Sequence, residues 1–261
     1  MSDATNPAAV PAATIIIARD GADGMEVFMV KRHHQIDFVA GALVFPGGKV
    51  AKGDGDPALG GWMDAAGFSA PMQALAAGAI REAFEESGIL FAREAGQEDL
   101  VSAERLERLA HYRQGLENGE IALLDMLRAE NLRLACDQLV HFAHWITPEN
   151  MPKRFDTHFF LAAAPSGHRG RHDGRESVDS TWISPAQAIA DRRRWNVIFP
   201  TKLNLMKLAK SATVEAAQAA ARAAPPLTVT PWIEESPKGA LLRIRDDAGY
   251  EQTTALLREA T

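Results

Sequence analysis

The densest chemistry in the 261-residue chain lies in nine consecutive residues, Arg81-Glu82-Ala83-Phe84-Glu85-Glu86-Ser87-Gly88-Ile89. On a helix, a step of about 100° per residue puts Glu85 about 60° to one side of Glu82 and Glu86 about 40° to the other. Three carboxylates then share an arc of about 100°. Ala77, Ile80, Phe84 and Ser87 fall on the opposite side, so one face can pack while the other concentrates negative charge. Read alone, the same pattern also describes an ordinary amphipathic helix with a solvated acidic face, because like charges at these spacings cost only a few tenths of a kcal/mol in water. Carboxylates gathered without Cys or suitably spaced His select hard, oxygen-preferring dications, Mg²⁺ first with Mn²⁺ as an allowed substitute, and such ions can bridge a diphosphate. Arg81 stands one turn before Glu85, where an i,i+4 pair either orients that carboxylate or is plain surface pairing.

Upstream, Val44-Phe45-Pro46-Gly47-Gly48 supplies two glycines that let backbone approach something closely. A basic-acidic-acidic-acidic-glycine match at these offsets arises by chance in only about 0.5% of chains of this composition. Together the two segments resemble the Nudix hydrolases, whose box runs G-x5-E-x7-R-E-U-x-E-E-x-G-U with U a bulky apolar residue. Gly48 is the first glycine, and Arg81, Glu82, Glu85, Glu86, Gly88 and Ile89 fill the second half. Two departures are visible: Asp54 stands where the family has Glu, and 26 residues rather than seven separate it from Arg81. The segments VFPGG, TPxxxxxRFDTxFF and ESVDSTWISP are similar to the branch that includes the peroxisomal coenzyme A diphosphatases.

The resemblance implies an α/β fold, a Nudix-type α/β/α sandwich with a mixed β-sheet and helical insertions. It also implies divalent-metal-dependent hydrolysis of a diphosphate linkage in a nucleoside diphosphate derivative. Coenzyme A or acyl-coenzyme A leads by branch, with nucleotide sugars, dinucleotides and ADP-ribose as rivals, and a non-catalytic nucleotide-binding module as a different class. Glu82, Glu85 and Glu86 are the expected metal ligands, joined by the Gly48 carbonyl; Glu82 or Glu85 is the expected base and Arg81 its orienting cation. Nudix enzymes often take a further carboxylate from outside the box. Glu176, at the entrance of a strand, is the candidate, its alternative being a surface partner of Arg175.

The elements that must position these groups are legible in outline. Ala13–Ala18 and Met25–Arg32 flank a turn composition and form a hairpin; Ala42–Phe45 is a third short strand, ended by Pro46. Residues 53–71 read as a loop with at most one helical turn, and a helix runs from about Met72 to Ala92 with Gly88 near its C-cap. Two charged helical stretches, Ser102–Leu116 and Ile121–Glu130, look like an inserted helical hairpin. Strands follow at Leu139–Ile146, His158–Ala163 and Ser177–Ile183, then a helix opened by Ser184-Pro185. A long Ala-rich helix is expected over Thr201–Ala224, packed on the core or on a partner subunit, which leaves a homodimer open; strands follow at Thr228–Ile233 and Ala240–Arg245. The economical organisation is a structureless start over 1–12 and one domain over 13–261, with insertions near 53–72 and 98–131 and a helical C-terminal extension.

Composition narrows the rest. The chain holds 28 Lys and Arg against 34 Asp and Glu, a net charge of −6 with 46% hydrophobic residues. This balance excludes whole-chain disorder and general nucleic-acid coating, so a phosphate-bearing ligand must be caught locally. Cys136 alone cannot build a disulfide or a thiolate zinc site, and no apolar run approaches the roughly 18 residues of a membrane span. A cytoplasmic protein without membrane contact is the expectation. His141 and His144 sit three apart on an expected strand, which would point them to opposite faces and exclude a shared metal site.

Overall fold

The computed structural model describes residues 7–33, 41–65, 67–191 and 193–260. Strands β1 (Val10–Gly21) and β2 (Gly24–Arg32) form the expected antiparallel hairpin, and Gly24 at φ 113° makes its turn. Strand β1 starts at Val10, inside the stretch expected to lack structure, because the Val10 N–H bonds to Arg154 O and Pro11 O accepts from Val50 N–H. Strand β3 (Leu43–Val44) pairs with β2. The strand run breaks for only two residues, Phe45 and Pro46: the Pro46 carbonyl accepts from Ile15 N–H, and β4 (Gly47–Lys49) pairs with Ala12–Thr14. One edge of β1 is therefore shared between β4 at its start and β2 at its end. The sheet forks there, and the glycines are held at the fork.

Residues 52–62 form two 3-10 helices, Lys52–Gly55 and Pro57–Trp62, where the sequence suggests mostly loop. Leu59 and Met63 bury themselves and anchor the segment to the core. Helix α1 (Ala70–Ser87) follows and stops at Gly88, whose φ of 68° suits the left-handed cap that glycine adopts without strain. Next come β5 (Ala92–Glu94), α2 (Ala103–Leu109), α3 (Tyr112–Glu117), α4 (Leu123–Glu130) and β6 (Leu132–Leu134). Strands β5 and β6 pair with each other and tie the two ends of this helical insertion together.

Strands β7 (Val140–Ile146), β8 (Phe155–Ala163) and β9 (Ser177–Ile183) are followed by α5 (Pro185–Ala190), α6 (Phe199–Leu208) and α7 (Val214–Ala223). The expected single helix over 201–224 is thus two. The break falls before Thr213, whose Oγ1 accepts from Ala216 N–H and caps a new N-terminus. The C-terminal extension is also not all helical: β10 (Thr228–Val229), β11 (Trp232–Glu234), β12 (Leu241–Arg243), β13 (Thr254–Leu256) and α8 (Leu257–Ala260) complete it.

The main sheet runs in the order β10-β7-β8-β1-β2-β3, with β4 on β1 and β9 on β2. It is mixed, since β1–β8 and β10–β7 are parallel and the other pairs antiparallel. Alternation along β1 sends Ile15 and Ile17 into a core with Ile80 and Phe84 of α1, and Ile16 into a second core with Phe199 and Leu203 of α6. Both faces are covered by helices, which is the α/β/α arrangement the sequence predicts. Strand β7 carries a register shift between His141 and Ala143. The extra residue overturns the opposite-face expectation for His141 and His144, whose ring centroids lie 6.4 Å apart.

Candidate active site

Helix α1 carries its acidic arc not into solvent but into the protein. Glu85 and Glu86 are each 5% exposed and Arg81 8%, which excludes the solvated acidic face for this helix. The reason is the fork in the sheet: β4 passes directly over the arc. A Cβ on Gly48 would lie 2.6 Å from Glu82 Oε1, so only glycine lets this carboxylate seat against the strand. The Gly47 N–H donates to Glu86 Oε2 at 2.9 Å.

Arg81 is the hub. Its guanidinium spends five hydrogen bonds: two on Asp54 (2.9 and 3.0 Å), one each on Glu82 Oε1 (2.9 Å) and Glu85 Oε2 (2.8 Å), and one on Lys49 O (2.9 Å). The i,i+4 pair to Glu85 therefore orients the carboxylate and is not surface decoration. Asp54 is buried, accepts from Ala51 N–H at 2.7 Å, and binds Arg81 as a bidentate partner despite the 26 intervening residues. Its place is behind Arg81. The small Gly78 makes room for it, since a Cβ there would approach Asp54 Oδ2 to 3.0 Å. Arg113, from the insertion, donates to Glu85 O at 2.9 and 3.2 Å and closes the helix end, a cation where the helix dipole favours one.

Three carboxylates and one guanidinium in little water perturb one another. Burial raises Glu82, opposed by Arg81; burial raises Glu85 to about 7; burial and then the Glu82 charge hold Glu86 well above the carboxylate range. Burial works against the Arg81 charge, but its Asp54 hydrogen bonds and the surrounding carboxylates outweigh that and raise it. One guanidinium does not balance this much acid. Glu85 Oε1 is buried without a hydrogen-bond partner among the described residues. An acceptor-only oxygen left unpaired beside two more carboxylates is the donor set a divalent cation completes, and the residues present fit one.

Glu82 borders a cavity of about 710 Å³ that Gly47, Gly48, Arg32, Arg175 and Glu176, among others, also line, while Glu85 and Glu86 are buried. The structure brings Glu176 to the same cavity, with its side chain 52% exposed and its Oε2 4.0 Å from Arg32. Arg175 turns instead to Glu117 at 3.9 Å and Asn118 at 3.3 Å, so the alternative of a Glu176–Arg175 pair is not what forms. Arg32, which the sequence reading passed over, has a buried Nε without a partner among the described residues and lines the cavity. Only the proximity of β2 and β9 reveals it. A second cavity of about 560 Å³ adjoins the first through Thr14, Arg32, Gly47, Phe155 and Thr157, and its far wall is apolar: Phe45, Trp145, Ile146, Met151, Phe159 and Ile198.

Among the described residues no helix is long and apolar enough to cross a membrane. Compared with known proteins, residues 64–204 match the model of the NUDT19 Nudix domain, more than half of the chain. The chain is 26% identical over 215 residues to the acyl-coenzyme A diphosphatase NUDT19 of Xenopus laevis, covering 67% of this chain and 57% of that protein. It thus spans little more than half the length of this curated relative. A crystal structure of a Nudix hydrolase from Alicyclobacillus acidocaldarius superposes with a TM-score of 0.69 at 26% identity, over 81% of this chain and 96% of that one. The arc of glutamates under a glycine strand, the mixed sheet between helices and these likenesses converge: the chain belongs to the Nudix hydrolase family.

Proposed function

We propose that the protein is a divalent-metal-dependent pyrophosphohydrolase that cleaves the diphosphate of a nucleoside diphosphate derivative, and that this derivative is coenzyme A or an acyl-coenzyme A. The observation that carries the reaction is the convergence of Glu82, Glu85 and Glu86 beneath Gly48, with an orphaned Glu85 oxygen, beside a cavity that also holds Arg32 and Arg175. Glu82, Glu85 and Glu86, with the Gly48 carbonyl, would hold Mg²⁺ or Mn²⁺. Bound there, the cation neutralises diphosphate charge and lowers the pKa of water. Arg32 and Arg175, which line the same cavity as Glu82, anchor the phosphate oxygens. Arg81 fixes the rotamer of Glu85, so that this carboxylate meets the substrate preorganised. A carboxylate of the cluster, Glu82 or Glu85, receives the proton as water oxygen bonds to one phosphorus and the P–O–P bridge breaks toward the other phosphate. Glu176, which lines the same cavity, assists as a further carboxylate.

The apolar second cavity supports the finer reading. A substrate with its diphosphate at the glutamates and an apolar arm reaching past Thr157 would fill both spaces, as the pantetheine arm and acyl chain of an acyl-coenzyme A do. The frog relative is named as an acyl-coenzyme A diphosphatase, which agrees. A small sugar leaves that space empty. Non-catalytic binding is the weaker reading, because all three box carboxylates are in place. The single buried thiol, Cys136, is compatible with the expected cytoplasmic setting. The test is a Mg²⁺-supplemented panel of coenzyme A, acyl-coenzyme A, NADH, ADP-ribose and nucleotide sugars scored by product mass. Coenzyme A should yield 3′,5′-ADP and phosphopantetheine. Efficient turnover of a nucleotide sugar or dinucleotide with coenzyme A left uncut would overturn the substrate, and no turnover of any member would overturn the reaction.

A further inference from the structure

Across β10, β7 and β8 runs a row of polar residues in register: Thr228 opposite His144, and His144 opposite His158. On β8 the neighbours of His158 alternate in direction. Thr157 lines the candidate active cavity and Phe159 enters the core beneath α6, whereas Phe160 enters the core beneath α1. Asp156 and His158 share the Phe160 face and so lie on the side of the strand away from that cavity. The β7 register shift brings His141 to this face as well, stacked on His158 with ring centroids 5.0 Å apart.

We propose that His144 Nε2, His158 Nε2 and Asp156 Oδ1 form a second metal site, for a borderline transition-metal dication such as Zn²⁺, separate from the glutamate cluster. One ligand atom from each of the three residues lies within 4.8 Å of the other two. His144 Nε2 is 2.5 Å and His158 Nε2 3.7 Å from Asp156 Oδ1. Ligands at about 2.0–2.1 Å in tetrahedral geometry stand roughly 3.3 Å apart, and the two separations from Asp156 Oδ1 fall on either side of that value; the rings of His144 and His158, stacked with centroids 3.8 Å apart, would have to turn apart to share an ion.

The outer nitrogens make the arrangement more than three neighbours. His144 Nδ1 is 2.8 Å from Thr228 Oγ1, and His158 Nδ1 is 3.0 Å from His141 Nε2. In the tautomer that donates each Nδ1–H outward, both Nε2 atoms keep a free lone pair, and the outer contacts are the support that metal-binding histidines carry. Two imidazoles and one carboxylate favour Zn²⁺, Co²⁺ or Ni²⁺ over Mg²⁺, the reverse of the all-oxygen glutamate cluster. The Asp156 side chain is 36% exposed against 15% for either imidazole, which leaves a route for the ion and a coordination position for water. An ion here would pin β7 to β8 and, through Thr228, the start of the C-terminal strands.

The experiment uses the full chain, stripped with chelator and returned to millimolar Mg²⁺ so that the glutamates are occupied. Zn²⁺ is titrated calorimetrically with the melting temperature followed in parallel, and Co²⁺ is added separately to read its ligand-field bands. One equivalent should bind at low micromolar concentration or tighter and raise the melting temperature by several degrees, with Co²⁺ bands typical of nitrogen ligation. Asp156→Asn and His158→Gln, each checked for native circular dichroism, should weaken Zn²⁺ binding at least about 30-fold, while Glu86→Gln retains it. Absence of Zn²⁺ binding to the wild-type chain overturns the proposal. So does binding that survives in both Asp156→Asn and His158→Gln or disappears in Glu86→Gln. Neither result touches the hydrolase reading.

Discussion

Glu85 and Glu86 differ from surface glutamates because neither can shed its charge into water. Replacing either with Gln keeps the shape and removes one negative ligand, and turnover should fall by at least on the order of 10²-fold with the circular dichroism spectrum unchanged. Wild-type-like turnover of both variants at limiting Mg²⁺ would remove them from the metal site. Glu176 poses a subtler question, since it is half exposed and its ion pair with Arg32 is long. A surface pair is worth at most about 1 kcal/mol. Glu176→Gln should therefore leave the melting temperature in place, while its assisting role lowers turnover or raises the Mg²⁺ requirement; identical kinetics across a Mg²⁺ titration would make it a bystander. The raised Glu85 also has a sign in stability. Its folded value of about 7 lies above the usual carboxylate value near 4.5, so the folded state holds a proton that the unfolded state releases. That contribution is complete below about 4.5 and is lost as pH rises through 7. The metal-free protein should melt at lower temperature at pH 8 than at pH 6, and saturating Mg²⁺ should raise the melting temperature more at pH 8.

Helix α1 works because elements distant in sequence hold its arc from behind. Asp54 supplies the bidentate partner of Arg81 from a 3-10 helix 27 residues upstream. Asp54→Asn should cost about 2 kcal/mol in urea unfolding, because a buried guanidinium loses its carboxylate while Glu82 and Glu85 still hold it. Turnover should fall about tenfold as Glu85 loosens. The helix, its acidic arc and Gly88 as a cap were legible because they rest on local spacing, although the helix ends at Ser87 and not at the expected Ala92. The hairpin of β1 and β2 was legible from two short apolar runs around a turn composition. What resisted reading depends on contacts outside any local window: β4 after Pro46, since its partner is β1 thirty-odd residues earlier, and the break before Thr213, which a single cap decides against an Ala-rich background. The β7 register shift inverted the histidine reading, because one extra residue exchanges the faces of everything beyond it. Arg32 and Arg175 carry no signature of their own; only the closed sheet shows that both border one cavity.

At the scale of the molecule the two adjoining cavities set a size rule for the substrate. If an acyl arm occupies the apolar one, each added methylene buried there contributes about 0.8 kcal/mol until the space of about 560 Å³ is full. KM across a series of acyl-coenzyme A chain lengths should fall and then level, whereas an arm lying in solvent would give a flat series. The segment between Asp54 and Arg81 has a different consequence, one of ancestry. Closing a flexible loop of 26 residues rather than seven costs only about 1 kcal/mol, less than the buried pair at its ends contributes to holding them. Once both ends are clamped, descent can lengthen the intervening chain almost without penalty. Related proteins should then differ widely in this interval while keeping an acid opposite the arginine, and a pattern search that fixes the interval will overlook its own kin.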